Sequence, residues 1–65
     1  VNEESRRYTF TALRPAEVGG GNCSIVVRRV GQRVELLVHG VFEAAAVLTL
    51  TQAVDVSEAL SRAAE

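Results

Sequence analysis

SIVVRRVGQRVELLVHG, residues Ser24 to Gly40, consists of two β-branched runs separated by Gly31-Gln32, and its reading decides how the rest of the chain folds. A Gly-X dipeptide between such runs is the chemistry of a two-residue type II′ hairpin turn, because glycine reaches the positive φ that the first central position needs. With the chain folding back there, Val30 faces Arg33, Arg29 faces Val34, Arg28 faces Glu35, Val27 faces Leu36, Val26 faces Leu37 and Ile25 faces Val38. Side chains alternate between faces along a strand. One face therefore carries Ile25, Val27, Arg29, Val34, Leu36 and Val38, and is expected to be the core face. The other carries Ser24, Val26, Arg28, Val30, Arg33, Glu35, Leu37 and His39. On it Arg28 lies opposite Glu35, a cross-strand ion pair contributing roughly 0.2–1 kcal/mol. A slip of one residue would break that pair and turn the apolar set outward, so the register is self-consistent. Val26, Leu37 and Val30 are apolar positions on this polar face. They are expected to be wet in a single chain, which makes them the candidate protein interface.

The chain has 65 residues, enough for one domain spanning residues 1–65. A chain of this size buries only about 60% of its unfolded surface, and such domains usually add a disulfide, a metal or a partner chain. One cysteine makes no internal disulfide, and one cysteine with one histidine does not close a zinc site. No metal or other cofactor is expected, and self-association as a homodimer is the remaining route to a larger core.

Net charge is −1, which favours neither a strong polyanion binder nor an acidic tail. The charge is unevenly spread. Arg6, Arg7, Arg14, Arg28, Arg29 and Arg33 all precede residue 34, whereas Glu43, Asp55, Glu58 and Glu65 follow Gly40 against Arg62 alone. A basic sheet and an acidic helix are the expectation. Every basic residue is arginine, and with abundant alanine and valine this is the composition of a high-GC bacterial coding sequence. No apolar run approaches the ~18 residues of a membrane span. No charged n-region followed by an apolar h-region opens the chain, and the single cysteine suits a reducing compartment, so a cytoplasmic protein is expected.

Residues 1–5 are polar and expected to be frayed. Arg7 to Leu13 alternates, with Tyr8, Phe10 and Ala12 on one face, and reads as a first strand with Phe10 as its main core residue. Pro15 ends it. Residues 14–22, RPAEVGGGN, read as a flexible glycine-rich loop. They are not expected to cradle phosphate, because the glycines lead into a strand and no lysine follows. Gly40 to Glu43 is expected to turn the chain into a short fourth strand at 44–48. Thr49-Leu50-Thr51-Gln52 matches a capping box that opens a helix over 50–64, with Ala53, Val56, Leu60 and Ala63 as its apolar stripe. The fold class is thus α+β, a four-stranded antiparallel sheet (β-β-β-β-α) with one C-terminal helix on one face. This order of elements resembles, in topology alone, the single-stranded-DNA-binding coactivator fold, and topology does not imply function.

No catalytic constellation emerges. The hairpin register puts Cys23 on the core face and His39 on the other, which separates the one thiol from the one imidazole. Ser24 lies opposite His39, but an acyl-transfer site also needs an orienting acid and a concave pocket, and no aspartate precedes Asp55. The expectation is a non-enzymatic interaction or regulatory module acting as a homodimer through its sheet, with an unidentified protein as a further candidate partner. The alternative is a nucleic-acid-binding regulator in which Arg6, Arg7, Arg14, Arg28 and Arg33 contact phosphates, since antiparallel ribbons do enter DNA grooves.

Overall fold

Gly31 has φ +59°, and among the described residues every positive φ belongs to a glycine, so Gln32 keeps a negative φ. A left-handed residue at the first central position alone is the signature of the II′ turn. The pairing that follows is the one expected: Val30 faces Arg33, Arg28 faces Glu35, Val27 faces Leu36, Val26 faces Leu37 and Ser24 faces His39. The structure is a computed structural model that describes residues 4–40 and 44–65. The expected turn at Gly40 to Glu43 falls largely on residues 41–43, outside the described residues.

The elements are β1 (Glu4–Leu13), a 3-10 turn (Ala16–Val18), β2 (Asn22–Val30), β3 (Arg33–His39), β4 (Ala44–Thr49) and α1 (Leu50–Ala63). The four strands form one antiparallel sheet in the order β1-β2-β3-β4, each strand beside its sequence neighbour. β1 starts at Glu4, before the alternation that begins at Arg7, and its register shifts between Glu4 and Arg6. β2 is long enough to offer partners to that extension, and a bulge absorbs the mismatch.

The β1–β2 connection explains its three glycines. Gly19, Gly20 and Gly21 have φ of 105°, 63° and 85°, a run of left-handed residues that side chains with a Cβ disfavour. The loop is closed by backbone hydrogen bonds from Arg14 N to Gly21 O (2.9 Å) and from Gly20 N to Pro15 O (3.1 Å). The Arg14 guanidinium adds a third, its Nε donating to Gly20 O at 2.7 Å.

The capping box at the start of α1 is complete. The Gln52 amide donates to Thr49 Oγ1 at 3.1 Å, and the Thr49 amide donates to Gln52 Oε1 at 3.0 Å. It reverses the chain directly out of β4, with no loop between strand and helix. α1 lies over β4 and β3, with Val27 of β2 at the margin of its cleft. Ala53, Val56, Ser57 and Leu60 face Val27, Val34, Leu36 and Leu48 across a cleft of about 190 Å³. The helix therefore sits on the expected core face. None of the described helices is long and apolar enough to cross a membrane.

Two burial expectations change. Phe10 is 56% exposed and Tyr8 50%, because the helix that should cover them stops two strands short. Val26, expected to be wet, is 9% exposed and is the only buried apolar side chain among the described residues. It lies on a central strand, with Thr9 and Leu37 beside it in the ladder and Ser24 and Arg28 before and after it on the same face, and these neighbours shelter it.

Thr49→Ala should lower stability by about 1 kcal/mol. In a chain this short that is a fall in Tm of roughly 4–8 °C by circular dichroism. Thr49→Ser, which keeps the accepting hydroxyl, should avoid most of the loss, and an unchanged Tm in the alanine variant would show that the cap does not hold α1 in solution.

Candidate interaction faces

The sheet presents two faces of different chemistry, and both follow from strand register. The face bearing α1 gathers Tyr8, Phe10 and Ala12 of β1, Ile25 and Val27 of β2, Leu36 and Val38 of β3 and Leu48 of β4, since paired residues share a face. α1 covers the β3–β4 half. The β1–β2 half stays open, and the helix rim beside the sheet is also bare, with Leu60 67% exposed.

The opposite face holds the three residues expected to form an interface. Val26 and Leu37 are paired, and Val30 lies four residues along β2. Between them runs the Arg28–Glu35 pair, with Arg28 Nε donating to Glu35 Oε1 at 2.6 Å. Val26, Val30 and Leu37 are therefore not one patch: a salt bridge divides them, and Val26 is already dry.

The arginines sort by position. Arg6 pairs with Arg29 on the helix-bearing face, and Arg7 pairs with Arg28 on the other, with Arg33 beside them across the turn. Five arginines thus surround the hairpin end of the sheet, on both faces. Arg29 was not among the candidate phosphate contacts; its link to Arg6 depends on the β1–β2 register, which no turn motif announces. Its Nε donates to Gly31 O at 2.6 Å. Arg14 is separate from this group. It lies at the far end of β1, roughly 23 Å along the strand from Arg7, and is engaged with the glycine loop.

Cys23 is a free, half-buried thiol that lines a second cleft of about 140 Å³ with Arg14, Pro15, Val18, Val38, Gly40 and Ala44. His39 pairs with Ser24 on the other face, so the sheet itself stands between thiol and imidazole.

The open apolar half of the helix-bearing face is the feature that the sequence reading missed. The signal was present in the proportions. A helix is about 10–12 Å across with its side chains, and strands are about 4.8 Å apart. One helix therefore covers two strands, and a β-β-β-β-α chain has four. Comparison with family models, curated proteins and solved structures found no match to this chain.

An Arg28→Ala, Glu35→Ala double-mutant cycle should return a coupling energy of about 0.2–1 kcal/mol by urea unfolding. The coupling should shrink as salt is raised. A value indistinguishable from zero at low salt would mean that the pair does not contribute to the register in solution.

Proposed function

We propose that this chain is a small non-enzymatic interaction module that acts as a homodimer through its sheet. One observation carries the reading: the isolated chain is under-buried. A compact 7.0 kDa monomer is expected to expose about 4,000 Å². This chain exposes 5114 Å². Its Cα radius of gyration is 13.0 Å, against about 10.7 Å for a compact domain of the same length. Its extents of 36 × 32 × 15 Å describe a slab with too few layers for its area. With one cysteine and one histidine, neither a disulfide nor a zinc site supplies the missing stability, and a second chain is the available source. The single half-buried thiol and the absence of other cysteines fit a reducing cytoplasm as the place of action.

Sedimentation equilibrium or light scattering should find a dimer at micromolar concentration, with a Tm that rises as protein concentration rises. A chain that remains a folded monomer at high concentration, with a concentration-independent Tm, would overturn the reading.

The five arginines at the hairpin end favour a second reading, contact with nucleic-acid phosphates. Their neutralising charge would make binding steeply salt-dependent, each phosphate contact adding about −0.9 to the slope of log K against log salt for duplex DNA. Substituting Arg33 should then reduce both affinity and slope, while Arg14→Ala should leave the slope unchanged. Failure to shift either single-stranded or duplex DNA at low salt would remove this reading.

A further inference from the structure

We propose that the occupant of the open β1–β2 half is the same half of a second copy, the two sheets stacking face to face about a two-fold axis while the two helices lie at opposite flanks. This rests on the homodimer reading above and specifies its surface.

Three observations converge on a second copy. The first is area. The chain exposes about 1,100 Å² more than a compact monomer of its mass would. Stable protein–protein interfaces bury about 800 Å² per partner, and obligate ones more. The second is self-complementarity. A two-fold interface must match itself, and this half-face presents Tyr8, Phe10, Ala12 and Ile25, apolar against apolar, with Arg6 and Arg29 confined to the turn end. The third is thickness. Sheets stack about 10 Å apart, close to the roughly 8–10 Å at which helices pack on one another. The second copy's β1–β2 half therefore fits in the layer that α1 already occupies, beside the helix rather than above it. The charged outer side of α1, with Asp55, Glu58 and Arg62, stays in water.

That geometry has two consequences. The second copy's helix comes to lie beside the edge of β1, a ten-residue edge strand whose charged residues and register shift are confined to its Glu4–Arg7 end. And the cleft between α1 and the sheet opens beside Val27, where the uncovered half begins. Its lining of Val27, Val34, Leu36, Leu48 and Leu60 suits an aromatic ring offered by the partner copy.

The test compares three chains by sedimentation velocity over a range of concentrations: the natural protein, Phe10→Glu and Val30→Glu. Phe10 is 56% exposed in the single chain, so its substitution should leave a folded monomer, checked by circular dichroism. The natural chain should dimerise, Phe10→Glu should weaken the dimer by at least about 100-fold, and Val30→Glu on the opposite face should dimerise as the natural chain does. Hydrogen exchange on the natural chain reads the same face without a variant: amides of residues 8–12 should gain protection as concentration rises. A dimer that survives Phe10→Glu and is lost in Val30→Glu would overturn this surface and leave the homodimer reading standing. A natural chain that never dimerises would overturn both, and would assign the open face to a different protein. A dimer in which residues 8–12 gain no protection would also overturn the stacking.

Discussion

One helix cannot cover four strands. α1 emerges from β4 with no loop, held by the Thr49–Gln52 capping box, so its first turn is fixed above the edge of the sheet. From there it lies over β4 and β3, with Val27 of β2 at the margin of its cleft. Everything unusual about this molecule descends from that constraint. Tyr8 and Phe10, the aromatic residues of the first strand, point to the same face as the helix and yet stay half exposed. The helix stripe itself is thin. Ala53 and Ser57 are small, and they leave a gap of about 190 Å³ against Val27, Val34, Leu36 and Leu48 where larger side chains would have closed it.

The distribution of burial follows. In most domains the driest residues lie between layers. Here Val26, on the face opposite α1, is the one buried apolar side chain among the described residues. Two flanking strands shelter it from the sides. A sheet interior of this kind specifies register well, since shifting β2 by one residue would move Val26 and unmake the Arg28–Glu35 pair together. It does not supply a large hydrophobic stabilisation, which scales with apolar area removed from water. The sheet is precisely registered but thinly buried, and it is this combination on which the homodimer proposal rests.

The arginines illustrate how tertiary pairing redistributes a sequence-level charge pattern. As a string, the first half of the chain is basic. In space, the β1–β2 register brings Arg6 to Arg29 and Arg7 to Arg28, and concentrates positive charge at the hairpin end, while Arg14 is drawn away to brace a loop of left-handed glycines. Three consecutive glycines were legible as a loop. Their reason, a run of positive φ held by Arg14 and by Gly20 N to Pro15 O, was not, because it depends on where β2 begins.

Local chemistry in the sequence was sufficient for the elements and much of the register. Gly31-Gln32 dictates a II′ turn by φ alone, that turn sets which residues of β2 and β3 share a face, and Thr49 with Gln52 sets the first residue of the helix. These are short-range constraints, each closed within a few residues. The tertiary structure alone decided what lies above each face. Strand order and the side-by-side placement of Arg6 and Arg29 depend on which strands pair, the shelter of Val26 on the strands that flank it, and the exposure of Phe10 on how far a helix of fixed width reaches across a sheet of fixed spacing. Alternation along a strand tells a residue which way to face; it carries no information on whether anything waits on that side.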